Sequence, residues 1–89
     1  MKKISLEELK VCLEKRDAGE PVDLSDSLLD NLNLSEMDLH GINFDRCDFR
    51  DVNLDNADMS YCTTHNAFFG GSSLRGTNFS HAVLCSSDF

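Results

Sequence analysis

Ten carboxylates fall between residues 22 and 60: Asp23, Asp26, Asp30, Glu36, Asp38, Asp45, Asp48, Asp51, Asp55 and Asp58. Only Arg46 and Arg50 oppose them there, so this stretch holds a net charge of −8, which is the net charge of the whole chain. Residues 1–21 carry five basic and five acidic side chains, and residues 61–89 carry Asp88 and Arg75, so both flanks are neutral. A dense set of anions repels nucleic acid and attracts a basic protein surface. The chemistry on offer is recognition of a cationic groove, provided that the backbone holds the acids in place. Acid–base catalysis would need groups converging in a cleft, and no spacing in the chain supplies that.

The other reactive side chains do not converge either. Cys12, Cys47, Cys62 and Cys85 contain no C-x-x-C, and His40, His65 and His81 do not stand at zinc spacing from them. Gly70-Gly71 lacks the rest of a nucleotide loop and reads as a turn. The expectation is a protein that is not an enzyme and needs no metal or cofactor. Cys47 and Cys62 read as compact buried hydrophobes, and Cys85 as an exposed thiol open to oxidation.

What must position the acids is a five-residue period. From Leu24 every fifth residue is large and apolar: Leu24, Leu29, Leu34, Leu39, Phe44, Phe49, Leu54, Met59, then Phe69, Leu74, Phe79, Leu84 and Phe89, with Thr64 the one departure. Two places earlier runs a second, smaller register that includes Ile42, Cys47, Val52, Ala57, Cys62 and Ala67. A period of five fits neither a helix face nor a strand, and a sustained repeat with two inward residues per unit indicates an all-β solenoid. Three residues in five then face water, and all ten acids occupy such positions.

Units such as Val52-Asn53-Leu54-Asp55-Asn56, Ala57-Asp58-Met59-Ser60-Tyr61 and Cys47-Asp48-Phe49-Arg50-Asp51 resemble those of the pentapeptide-repeat family, loosely Ala-(Asp/Asn)-Leu-X-X. The resemblance implies a right-handed quadrilateral β-helix with four units per coil over residues 22–89. At a strand spacing of roughly 4.8 Å, three and a half coils make a rod about 17 Å long.

Residues 1–21 form a different element. Ser5 and Glu8 make a capping box, Ile4 and Leu9 a hydrophobic staple, and Leu6, Leu9 and Leu13 an apolar face that runs out at Gly19 and Pro21. This reads as a short capping α-helix and linker over an open coil. The other end of the inward register, Phe89, has no such cap, and the expectation is a homodimer joined through the C-terminal coils near Phe69, Phe79, Leu84 and Phe89. Dimerisation through C-terminal coils also follows from the family resemblance. No apolar run nears twenty residues and no signal-peptide pattern is present, so a cytoplasmic protein without membrane contact is expected.

Two readings of the charge compete. Asp23, Asp38, Asp48 and Asp58 sit where the family unit favours Asp or Asn, so they belong to the fold. Asp26, Asp30, Glu36, Asp45, Asp51 and Asp55 occupy free positions. The quinolone-resistance proteins that this chain resembles in fold imitate DNA in the groove of DNA gyrase, and they are about twice as long. The reading placed first is a DNA mimic with a nucleic-acid-binding protein as partner. Such a target would be gyrase or topoisomerase, or a CRISPR or restriction complex inhibited by a phage or plasmid product. The alternative is a structural or scaffolding repeat, possibly part of a secreted effector. Phe68 breaks the Asp/Asn register, as do Leu28 and Val83, and is a candidate anchor for the partner; the competing reading is a distorted coil in which Phe68 tucks over its neighbour. With four units per coil, Leu28, Asp48, Phe68 and Asp88 share one face.

Overall fold

Ser5 opens the helix of the computed structural model, which describes all 89 residues. Its side-chain oxygen accepts from the Glu8 N–H at 3.1 Å, while Glu8 Oε1 accepts from the Ser5 N–H at 3.1 Å. This reciprocal pairing satisfies two donors that a helix start leaves open. Helix α1 spans Leu6–Asp17. It ends in a Schellman motif: the Glu20 N–H reaches the Lys15 carbonyl at 3.0 Å, the Gly19 N–H reaches the Arg16 carbonyl at 2.9 Å, and Gly19 sits at φ +86°. Leu9 is fully buried, and Leu6, Cys12 and Leu13 pack against the core from the same side.

An element that the sequence did not announce precedes the helix. Strand β1, Lys2–Lys3, pairs in parallel with β2, Ser27–Leu28, placing Lys2 opposite Ser27 and Lys3 opposite Leu28. Two lysines carry no hydrophobic period. Their strand exists because the first coil presents open backbone groups that they satisfy. The cap is therefore a strand and a helix together.

Apart from the β1–β2 pairing the chain meets itself through ten isolated parallel bridges, each joining residues twenty apart, from Asp23 with Asn43 to Phe68 with Asp88. Twenty residues are four units of five, so the bridged residues form four rows. The shared row of Leu28, Asp48, Phe68 and Asp88 is as expected. Strands stay short because every unit turns: the Ala57 N–H closes on the Leu54 carbonyl at 3.0 Å, and equivalent bonds recur along the chain. The third residue of the turn takes positive φ at thirteen successive corners, from Asp26 at 59° to Ser86 at 58°. Asn and Gly accept this conformation readily, whereas Glu36, Arg46 and Tyr61 adopt it only because the ladder on both sides imposes it. Gly71 has a second reason to be glycine, since a Cβ there would collide with Asp51 Oδ1.

The two inward registers build one core. Leu29, Leu34, Leu39, Phe44, Phe49, Leu54, Met59 and Thr64 are fully buried, as are Cys47, Cys62 and Ala67 from the smaller register. Phe49 and Phe69 stack at 4.8 Å between centroids, and Phe69 and Phe89 at 4.7 Å, so rings twenty residues apart form a column. Thr64 is tolerated inside because its hydroxyl donates to the Val83 carbonyl at 3.4 Å and lies 3.3 Å from Ser87 Oγ.

The smaller register also has a polar duty that size alone did not reveal. Cys47 Sγ donates to the Leu24 carbonyl at 2.9 Å, Cys62 Sγ to the Leu39 carbonyl at 3.0 Å, and Thr77 Oγ1 to the Leu54 carbonyl at 2.8 Å. A short donor here meets a carbonyl of the coil before. Burial pushes both thiols up to about 11, so neither is a nucleophile at neutral pH. The molecule measures 31 × 26 × 22 Å.

Candidate functional site

The acids were read as one outward set, and the structure divides them. Asp23, Asp38, Asp48 and Asp58 each accept from the N–H two residues on: Ser25 at 2.9 Å, His40 at 3.2 Å, Arg50 at 2.9 Å and Ser60 at 2.9 Å. Asn33, Asn43, Asn53 and Asn78 do the same. The Asp/Asn position thus caps its own corner, which is a folding role that either residue fills.

Asp48 corrects the expectation of outward acids. It is only 3% exposed, because its row neighbours are the apolar Leu28 and Phe68 and because Arg50 closes over it, with Nη2 2.6 Å from Oδ2. Arg50 also lies over the Phe68 ring, 6.0 Å from the centroid, so Phe68 helps to position the cation that neutralises Asp48. Phe68 itself is 47% exposed and remains available to a partner.

Most of the remaining acids also have intramolecular partners. Asp26 holds Arg46 through two bonds of 2.8 and 2.9 Å, and Asp30 holds Lys3 at 2.9 Å. Asp45 accepts from the His65 N–H at 2.9 Å and lies 3.0 Å from His65 Nδ1. Asp55 accepts from the Arg75 N–H at 3.0 Å and from Ser73 Oγ at 2.5 Å. Glu36 and Asp51 alone carry neither a side-chain hydrogen bond nor an ion pair. The set also encircles the molecule. Asp23, Asp26 and Asp45 belong to the first row and its corner, Asp30, Asp48 and Asp51 to the second, Glu36 and Asp55 to the third, and Asp38 and Asp58 to the fourth. No single stripe collects them.

These bonds keep the carboxylates ionised. The Arg50 side chain holds Asp48 below the ordinary range, the Arg46 guanidinium does so for Asp26, the Lys3 ammonium for Asp30, and the Ser25 backbone for Asp23. Burial works against Asp45, and bonds from His65 outweigh it. Because these groups are depressed in the folded chain, their contribution is complete above the unfolded aspartate value near 4 and is lost as pH falls through the folded values. Thermal scans by circular dichroism should therefore show a stable plateau down to about pH 5 and a steep loss below about pH 4. A melting temperature independent of pH down to about pH 2 would contradict this account of the carboxylates.

Asp38, His40 and Asp58 bring ligand atoms within 4.8 Å of one another. His40 Nδ1 lies 2.5 Å from Asp38 Oδ1, and Arg16 Nη2 is 3.8 Å from Asp38 Oδ2. The trio is turned on itself and on a cation. Arg16 also donates to the Asp38 carbonyl at 2.8 Å, which ties α1 to the fourth row.

At the C-terminal end, Phe89 is 59% exposed, and Phe79 and Leu84 are half-buried. Phe69, expected near a seam with them, is buried beneath Phe89 and lies one layer inward. Sequence reasoning missed Tyr61, exposed at a positive-φ corner and stacked on His81 at 4.8 Å. Its place one coil before His81 was the available signal. A cavity beside α1, lined in part by Cys12 and Leu24, was also unannounced.

The pentapeptide-repeats family model matches this chain in eight copies, over residues 23–60 and 53–89. The chain belongs to the pentapeptide-repeat family. Proteins of this family are β-helical and in general are non-enzymatic structural or binding modules. A pentapeptide repeat protein of the cyanobacterium Cyanothece 51142 is 26% identical, with the match covering 75% of this chain and 53% of that one at a TM-score of 0.39. A second, from Nostoc Pcc 7120, is 22% identical, with 89% and 73% covered and a TM-score of 0.35. The chain spans about half the length of the Cyanothece protein. No curated protein matches it. No helix is long and apolar enough to cross a membrane.

Proposed function

We propose that this pentapeptide-repeat chain is a non-enzymatic acidic binding module, a right-handed quadrilateral β-helix that stands in for DNA in the basic groove of a nucleic-acid-handling protein. The observation that carries the reading is the fixed placement of most of the carboxylates on the first two coils by backbone and side-chain hydrogen bonds. Backbone N–H groups and short side-chain bonds hold Asp23, Asp45, Asp55 and Asp58 rigidly, so a partner's cations meet an ordered array. Glu36 and Asp51 add anions with no internal partner, and Phe68 offers an aromatic anchor on the third coil, in the row of Asp48. Four free cysteines fit a reducing, cytoplasmic setting. The test is replacement of acids by amides, argued in the Discussion.

A second reading, a structural or scaffolding repeat, is favoured by one observation. Eight of the ten acids have intramolecular partners and the set is spread over four rows, as solubility and coil stability alone would require. Under that reading the acids tolerate neutralisation with no loss of partner.

The same proposal includes self-association through the last coil. Exposed Phe89, with half-buried Phe79 and Leu84, forms an apolar end whose burial would favour a two-fold dimer. Sedimentation equilibrium should give about twice the 10.0 kDa chain mass, and Phe89→Glu should shift it to monomer. A monodisperse monomer at tens of micromolar would remove the dimer from the proposal.

A further inference from the structure

The cap pairs with one row of the first coil and leaves the rows of Asp23, Asn33 and Asp38 without a strand partner on that side. β1 lies along Ser27–Leu28, but nothing lies along Asp23. In nine of the ten bridged pairs the later residue makes both backbone bonds toward the earlier coil, as when the Asp48 N–H reaches the Ser27 carbonyl at 3.0 Å and the Asp48 carbonyl receives the Leu29 N–H at 2.9 Å; in the Asp23–Asn43 pair the Asn43 carbonyl receives the Leu24 N–H at 2.9 Å. By the same geometry, the N–H and carbonyl of Asp23 point away from Asn43 and off the end of the coil. Neither makes a backbone hydrogen bond. Asp23 lines a cavity of about 470 Å³ that Glu8, Val11 and Cys12 of α1 also line.

That cavity has the composition of a peptide site. Ile4, Val11 and Leu24 give it an apolar floor and wall, while Glu8, Asp23 and Asp26 supply carboxylates against a single cation, Lys2. Lys2 is engaged by Glu8 at 3.5 Å and Asp26 by Arg46, so Asp23 is the acid on this wall without a cationic partner. The volume lies within the range that holds small ligands, about 300–1,000 Å³. An exposed strand edge beside an apolar slot is the arrangement that captures an extended peptide by strand addition.

We propose that this cavity binds an extended segment of a partner protein, pairing in parallel with Asp23 and carrying an apolar residue flanked by basic ones. The carbonyl preceding the paired residue accepts from the Asp23 N–H. The N–H following it donates to the Asp23 carbonyl. That following side chain enters the slot between Leu24 and Val11, as the inward residue of a further coil would, and the basic residues face the carboxylates. The site is separate from the acidic surface of the proposed function and stands if DNA mimicry fails.

The probe is the capped peptide Lys-Ala-Lys-Leu-Lys, titrated into the full chain and followed by backbone amide NMR. The Asp23 and Ser25 amides should shift in a saturable manner. Asp23→Asn keeps the oxygen that caps Ser25 while removing the charge, and affinity should fall on the order of tenfold. Val11→Lys, on the exposed face of α1, should repel the peptide without disturbing the fold. N-methylation of the peptide leucine should abolish binding by removing the one N–H that the edge accepts. Equal binding of Glu-Ala-Glu-Leu-Glu or of the N-methylated peptide, or no shift at Asp23, would overturn the proposal. Shifts at Asp23 that depend on protein concentration alone would also overturn it, by assigning the edge to a second copy.

Discussion

Phe49→Asp is expected to leave no folded protein. Phe49 is fully buried, stacked on Phe69 at 4.8 Å and packed edge-on against Phe44 at 5.1 Å. Loss of the ring alone costs about 3–5 kcal/mol, and an unpaired carboxylate on the axis adds several more. A chain of this size is stable by roughly 4–13 kcal/mol, so the substitution removes most or all of the margin. The contrast is Phe68→Asp, one residue away. Phe68 is half-exposed at the position where other units carry Asp or Asn, and a carboxylate there gains the Gly70 N–H as a partner. Asp48 and Asp88 flank it in the row, so its cost should be about 1–2 kcal/mol, well short of that of Phe49→Asp. Circular dichroism and urea titration distinguish the two. Equal behaviour of the pair, whether both folded or both unfolded, would contradict the assignment of inward and outward registers.

That contrast shows how much the sequence carried. The two inward registers, the capping box at Ser5 and Glu8, and the face shared by Leu28, Asp48, Phe68 and Asp88 are all observed. The registers were legible because each unit directs the same two positions inward, the capping box because four adjacent residues carry it, and the shared face because the family resemblance implies four units per coil; burial itself falls off in the last coil, where Phe89 is 59% exposed. Features set by one coil acting on the next were not legible. Strand β1 depends on the open edge above Ser27 and Leu28, and nothing in Lys2-Lys3 signals it. Asp48 is buried because Phe68 lies twenty residues on and Arg50 folds back, whereas its unit looks like any other. The donors at Cys47 and Cys62 were read by size, and their bonds to carbonyls 23 residues earlier appear only when the coils are stacked. The same limit applies to the acids. Their clustering along the chain was plain, but their dispersal around it required the register.

The largest functional effect is expected from charge. Converting Asp45, Asp51 and Asp55 to Asn removes three anions from three separate corners. Asn keeps an oxygen for the His65 N–H at position 45 and for the Arg75 N–H at position 55, and it suits the positive φ of 58° at position 51. The coil should therefore stay folded, with stability changed by less than about 1 kcal/mol. Under mimicry, partner binding weakens sharply, association slows first, and parent and variant converge as salt rises. Charge reversal at Arg75, in the neutral segment, should matter less.

The most direct measurement immobilises the folded parent and the triple variant and exposes each to bacterial lysate at physiological salt, followed by elution with duplex DNA. Mimicry predicts a nucleic-acid-binding protein retained by the parent, released by duplex DNA, and retained at least about tenfold less by the variant. Equal retention on both, or retention that duplex DNA does not reverse, would contradict mimicry and leave the scaffold reading in its place.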